Sequence, residues 1–248
     1  MIRTEGITKI YSDFQALFPL DLHVRPGEVF GFLGPNGAGK TTTIRILAGV
    51  LPPTSGRLVI DGVDMAVDPV EAKRRIGYIP DRPYLYEKLT GREMLRFVGG
   101  LYAMDPAVIE ERSAKLLAFH SLNEFADRLI EGYSHGMKQR LSLSAALLHE
   151  PRLLIVDEPM VGLDPRGARQ IKGVFREVVE QGRTVFLSTH SLDVAQAVCD
   201  RLAIIHRGRI VAAGTYEEIR SEGRADAGSL EEVFLRILHE QSDAQMEA

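Results

Sequence analysis

Val29-Phe30-Gly31-Phe32-Leu33, followed by Gly34-Pro35-Asn36-Gly37-Ala38-Gly39-Lys40-Thr41-Thr42, is the stretch that decides the fold. Its first five residues form a short apolar run of the kind a sheet buries on both faces. The next eight fit G-x-x-x-x-G-K-[ST], and Lys40 to Ala48 then space Ile44, Leu47 and Ala48 along one helical face. Strand, glycine-rich loop and helix, in that order, are the context in which this motif binds phosphate. Glycines let backbone N–H groups converge on phosphate oxygens, and the helix N-terminus adds a favourable dipole. Lys40 then reaches the β and γ phosphates, and the Thr41 hydroxyl can ligate Mg²⁺. Residues 34–42 are the candidate nucleotide contacts; the alternative, an ordinary glycine-rich turn, fits that context poorly.

Leu153-Leu154-Ile155-Val156-Asp157-Glu158 supplies the second half of such a site. An apolar strand ending in two carboxylates presents them at the carboxyl edge of a parallel sheet, beside the phosphate loop. Asp157 can hold Mg²⁺ directly or through water, and Glu158 can polarise the water that attacks the γ-phosphate. An Asp-Glu pair that merely caps the next turn is the competing reading, and it loses weight once the phosphate loop is present.

Outward from these two stretches, strands are expected over Ile2 to Ile10, Leu17 to Val24, Arg57 to Ile60, Ile76 to Ile79 and Thr184 to Leu187. From about 90 to 150 the pattern changes. Leu95, Val98, Leu101, Tyr102, Leu116, Leu117 and Phe119 recur at helical spacing, which predicts an inserted helical lobe. A further helix is expected after Asp164 as N-cap and Pro165, with Ile171, Val174, Phe175 and Val178 as its apolar stripe and Gly182 as its stop. The fold class is α/β: a P-loop nucleoside triphosphatase core with a parallel sheet, an N-terminal antiparallel β subdomain and an inserted α-helical subdomain. The expected division is 1–81, 82–150, 151–215 and a C-terminal helical tail over 216–248.

With 248 residues, 45% hydrophobic and 26% charged, the chain can bury a full core without disulfides or metals. Lys+Arg 30 against Asp+Glu 34, a formal charge of −4, argues against a protein held by bulk attraction to nucleic acid or anionic lipid. The single cysteine, Cys199, and the polar start Met1-Ile2-Arg3-Thr4-Glu5 point to a reducing cytosol. The longest apolar runs fall far short of the ~18 to 20 residues that cross a bilayer, so a membrane span would have to come from another chain. The histidines and the cysteine show no zinc spacing, which leaves Mg²⁺ as the expected metal.

Between the two halves stands Tyr133-Ser134-His135-Gly136-Met137-Lys138-Gln139-Arg140. Together with those halves it resembles the ATP-binding subunit of an ATP-binding-cassette transporter of the export type, a likeness running from Tyr11 to about Gly214. In that family a signature loop, usually Leu-Ser-Gly-Gly-Gln, closes over the γ-phosphate of ATP bound to the opposite subunit. Ser134 and Gly136 match it, while Tyr133, His135 and Met137 depart. The resemblance implies Tyr11 stacked on adenine, Gly162-Leu163-Asp164 crossing a dimer interface, and His190 on the γ-phosphate. Tyr11 as a strand-end core aromatic and His190 as a structural histidine remain open. Where the family places Gln beside the metal this chain has Asp81, either a Mg²⁺ ligand that adds negative charge or a plain turn carboxylate.

The resemblance also implies a head-to-tail dimer with a second ATP-binding subunit, ATP acting as glue, and a separate transmembrane permease docked near Asp81 to Leu89 and the helical lobe. Such a protein sits peripherally on the cytoplasmic face of the cell membrane, with no nucleic acid partner. The stretch from Asp81 to Glu93 and the tail from Ser229 to Phe234 look similar to export-type members. Lys73-Arg74-Arg75 is read as a solvated helix face rather than a lipid contact. Two rivals stand beside this. Gly132-Tyr133-Ser134-His135-Gly136 also matches G-x-S-x-G, and Ser134, Asp164 and His190 fall in α/β-hydrolase order, yet Phe125, Leu129 and Ile130 have helical spacing where that fold needs a strand. The other rival is a relative of the same family that does mechanical work on ribosomes or DNA. Such relatives usually carry two cassettes or a long coiled coil, and this sequence has neither.

Overall fold

A computed structural model describes residues 1–82, 84–160 and 165–222 of the chain. Two sheets organise it. The first is antiparallel, in the order β2-β1-β4-β5, from β1 (Ile2–Tyr11), β2 (Phe14–Val24), β4 (Ser55–Ile60) and β5 (Val63–Asp64). In β2 the buried Leu20, Leu22 and Val24 alternate with the exposed Asp21 and His23, the period-two pattern of a sheet with one wet face.

The second sheet has the order β10-β9-β3-β8-β7-β6, from β3 (Val29–Leu33), β6 (Ile76–Ile79), β7 (Leu153–Asp157), β8 (Thr184–Thr189), β9 (Arg201–His206) and β10 (Arg209–Gly214). Pairing is parallel from β9 through β6, and only β10 runs antiparallel. Every residue of β3, β7 and β8 is buried, because helices or the first sheet cover both faces. Side chains alternate between two cores. Phe30, Phe32, Ile155 and Phe186 point to the first sheet and α1 (Lys40–Leu47), while Val29, Leu154, Val156, Val185 and Leu187 meet Phe175 and Val178 of α6 (Pro165–Glu180). The expected stripe of α6 is buried as read. Its expected cap, Asp164, lies outside the described residues, as does the tail over 229–234.

Residues 90–147 form the helical lobe: α3 (Gly91–Leu101), α4 (Pro106–Phe119) and α5 (His135–Leu147) around a core of their own that includes Leu95, Leu117, Leu122, Ile130 and Leu141. Thr90 and Glu93 close a reciprocal capping box on α3, Asp105 caps α4 ahead of Pro106, and Ser134 caps α5. The lobe is pinned to the large sheet by Tyr102 and His149, stacked at 3.7 Å and both hydrogen-bonded to the Ile76 carbonyl. The remaining helices of the described residues are α2 (Pro69–Arg74), α7 (Leu192–Val198) and α8 (Tyr216–Glu222). Among the described residues, no helix is long and apolar enough to cross a membrane.

Two expectations need correction. Leu101 and Phe119 share the helical spacing of the lobe's apolar residues but are 69% and 52% exposed, so they belong to its surface and not its core. The stretch holding Phe125, Leu129 and Ile130 is not an α-helix but two 3-10 turns, Asn123–Phe125 and Ile130–Gly132. Its backbone is claimed instead by Leu89 and Glu87, whose carbonyls accept the Ile130 and Glu131 N–H groups.

Candidate nucleotide site

β3 runs into the phosphate loop between its neighbours β8 and β9, at the carboxyl edge of the large sheet. The loop is anchored at both ends: Gly34 N–H donates to the Thr189 carbonyl at 3.3 Å, and the Ala38 carbonyl accepts Gly208 N–H at 2.8 Å. Glycine is required at two positions for different reasons. Gly39 has φ +109°, a conformation L side chains rarely adopt, and a Cβ on Gly34 would lie 2.4 Å from the Ile205 carbonyl oxygen. Asn36 and Gly37 are exposed at the tip, Pro35 and Thr42 are half-buried, and Ala38 is buried.

Lys40 is 6% exposed, and its ammonium folds back on its own loop. It donates to the Gly34 carbonyl at 2.7 Å and the Pro35 carbonyl at 3.1 Å, and lies 3.5 Å from Glu158 Oε1. The other carboxylate oxygen of Glu158 meets His190 Nδ1 at 2.9 Å. Lys40, Glu158 and His190 therefore form one chain of contacts across the mouth of the loop.

Asp157 ends β7 and is 2% exposed. One oxygen, Oδ1, accepts a short hydrogen bond from the Ser188 hydroxyl, and the Thr41 side chain acts on the carboxylate more weakly. Oδ2 is buried and has no hydrogen-bond partner among the described residues. Burial pushes the Asp157 carboxyl above its ordinary pKa, and the charges of Asp81 and Glu158 push it the same way. A buried carboxylate with an orphaned oxygen, crowded by two further negative charges, fits a divalent cation. No group of three or more His, Cys, Asp or Glu able to hold a metal occurs among the described residues, so such a cation would take its remaining ligands from a hydroxyl, phosphate and water. Asp81, exposed just beyond β6, accepts the Arg82 N–H.

Tyr11 closes β1 and is 41% exposed, with Lys9 Nζ 5.3 Å from its ring centroid, so it is not a core aromatic. Ser134 accepts Met137 N–H as the cap of α5, and the Gly136 carbonyl accepts from Arg140. Among the described residues, these hydrogen-bond partners lie within α5 and not in residues 34–41. Gly162, Leu163 and Asp164 lie outside the described residues. The hydrolase reading fails on geometry, because a 3-10 turn and no strand precedes Ser134, and His190 bonds to Glu158. Sequence reasoning missed Ser188, which touches both Asp157 and Glu158. The available signal was a hydroxyl at the polar end of an otherwise apolar strand, two residues before His190.

A glycine-rich loop at a sheet edge, with a lysine, a buried aspartate and a glutamate around it, defines a P-loop nucleoside triphosphatase. A family profile described as "ABC transporter" matches residues 17–161, and the chain belongs to that family as its ATP-binding, ATP-hydrolysing subunit. The daunorubicin/doxorubicin resistance ATP-binding protein DrrA of Streptomyces peucetius is 42% identical over 89% of this chain and 67% of its own length. The linearmycin resistance ATP-binding protein LnrL of Bacillus subtilis is 38% identical over 89% and 71%. Against the probable multidrug protein YbhF of Escherichia coli, 34% identical, this chain spans only 42% of the relative's length. A solved ATP-binding subunit of an ABC transporter superposes with TM-score 0.89 at 34% identity, covering 96% of this chain and 99% of that one. A post-hydrolysis dimer of the cassette MJ0796, bound to ADP and Pi, gives 0.80 at 26% identity, covering 87% and 98%.

Proposed function

We propose that the chain hydrolyses Mg²⁺-bound ATP in a head-to-tail dimer and so drives a separate transmembrane permease in the export direction, from the cytoplasmic face of the membrane. The observation that carries this reading is the contact chain Lys40–Glu158–His190 at the mouth of the phosphate loop, beside the orphaned oxygen of Asp157. Export rests on relatives named for drug resistance and on one named for Nod factor export in Cupriavidus metallidurans.

Each residue then has a task. Backbone N–H groups of residues 34–42 cradle the phosphates, and Lys40 exchanges its loop carbonyls and Glu158 for phosphate oxygens. Thr41 and Asp157, through Oδ2, would hold Mg²⁺, which spreads the charge developing on the phosphate oxygens. Glu158 takes the proton of the attacking water, and His190 holds the carboxylate in place and contacts the γ-phosphate. Asp81 adds a carboxylate at the metal side, and Tyr11 offers an exposed ring to the adenine. Ser134, Gly136 and Asp164 complete the site of the opposite subunit. Hydrolysis removes the contacts that γ-phosphate makes with both subunits, and the closed state loses its advantage.

The permease is proposed to dock in a cleft of about 690 Å³ between core and lobe, lined by Arg45, Leu51, Tyr78, Tyr84, Val98 and Tyr102 among others. Sedimentation tests the dimer. Glu158→Gln with ATP should shift from monomer to dimer mass, and Ser134→Arg in that background should stay monomeric. A dimer that ignores Ser134 would contradict the head-to-tail arrangement.

A further inference from the structure

Ser188 is the fifth residue of β8 and is fully buried. Parallel register places it beside Asp157, the last ladder pair between β7 and β8. A hydroxyl has one hydrogen and two lone pairs, and a carboxylate can only accept. The hydrogen of Ser188 therefore goes to Asp157 Oδ1, and its oxygen accepts the Glu158 N–H at 3.1 Å. One small side chain spans the two residues that carry the acid groups.

The second of these bonds holds an unusual backbone. Glu158 has φ +50°, in the left-handed region that non-glycine residues seldom enter. It lies one residue past the ladder, where no strand neighbour is paired with it. The Ser188 oxygen supplies the acceptor its N–H needs. In that conformation the Glu158 carboxylate reaches both Lys40 and His190.

We propose that Ser188 is the positioning residue of the hydrolytic site: it selects Oδ2 as the Asp157 oxygen offered to the metal and locks Glu158 in the left-handed turn that aims its carboxylate at the phosphate loop. This rests on the ATPase reading above. The two residues after Ser188 serve the same edge, since the Thr189 carbonyl anchors Gly34 and His190 bonds Glu158. Three consecutive residues of one strand end thus hold the loop, the acid pair and the histidine. The chemistry demands a small side chain that donates and accepts at once; alanine does neither, and a thiol does both weakly.

The test compares Ser188→Ala, Ser188→Cys and Ser188→Thr by two readouts. One is steady-state phosphate release with ATP and Mg²⁺; the other is binding of a fluorescent ATP analogue without Mg²⁺ and then with it. Misplacing a reacting group by an ångström costs on the order of 100-fold, so kcat of Ser188→Ala should fall roughly 10- to 100-fold with KM changed little. Its Mg²⁺-free affinity should match or exceed wild type, because a displaced Glu158 restrains Lys40 less, while the gain on adding Mg²⁺ shrinks. Ser188→Cys, which keeps the shape at a slightly larger size, should behave like Ser188→Ala, and Ser188→Thr should recover most of the rate. A cysteine or alanine variant as fast as wild type overturns the proposal. So does a Mg²⁺-free affinity that falls in step with kcat, because Ser188 would then support the fold alone. Failure of the ATPase reading looks different: the wild-type chain itself would release no phosphate in a Mg²⁺-dependent way.

Discussion

Glu158→Gln separates the two jobs of this carboxylate, restraining Lys40 and activating water. Lys40 Nζ and Glu158 Oε1 lie 3.5 Å apart, with side chains 6% and 16% exposed. At an effective dielectric of about 20, unit charges at that distance attract by roughly 5 kcal/mol before solvation is counted. Water lost by both groups cancels most of this, leaving a net restraint of about 1–2 kcal/mol. The amide removes the restraint and the negative charge that faces an incoming phosphate, while Lys40 keeps the Gly34 and Pro35 carbonyls. Mg²⁺-free ATP affinity should therefore rise about 5- to 30-fold, since every 1.4 kcal/mol is a factor of ten. Turnover should fall by roughly 10²- to 10⁴-fold, the usual worth of a general base. Fluorescence titration in EDTA reads the first effect and phosphate release with Mg²⁺ the second. Weaker or unchanged binding would refute the restraint argument, and turnover within a few-fold of wild type would remove Glu158 from the base role.

Acid stability follows from two histidines outside the site. Burial lowers the pKa of His149 and of His120 from 6.5 to about 4, so both are neutral in the fold. The unfolded chain binds protons first, and stability should fall as pH drops from about 6.5 towards 4, by roughly 2 kcal/mol per histidine at pH 5. His149→Phe should flatten that slope by about half in urea titrations; a slope unaltered by the change would contradict the assignment. Gly34→Ala places a Cβ 2.4 Å from the Ile205 carbonyl and should cost about 1–3 kcal/mol of stability along with nucleotide affinity, read by thermal melting with and without ATP. Tyr84, 82% exposed at the proposed docking cleft, should tolerate Tyr84→Asp with unchanged ATPase activity of the isolated chain. Co-purification with the permease should drop, and full recovery of the complex would move the docking surface elsewhere.

The large sheet was legible because β3, β7 and β8 are buried on both faces and so read as unbroken apolar runs ending in chemistry. β9 and β10 went unread, although Leu202 to Ile205 is apolar and Arg207-Gly208 makes their hairpin turn with positive φ at both residues. Their role is tertiary: the turn rests on the phosphate loop through Gly208 and Ala38, which no local pattern reveals. Within the lobe, helical spacing marked α3 and α4 but not which face is wet, hence the exposed Leu101 and Phe119. Lys40, Asp157 and Glu158 declared themselves by motif and strand end. Ser188 did not, because its importance comes from register with Asp157 across two strands that are 31 residues apart in sequence.

Manganese offers the most direct test of the whole account. A crystal of the chain grown with Mn²⁺ and a non-hydrolysable ATP analogue should show one anomalous peak between Asp157 Oδ2, the Thr41 hydroxyl and the β and γ phosphates, with Lys40 turned onto the phosphates. An anomalous peak held by other carboxylates, or a triphosphate lying away from residues 34–42, would contradict it.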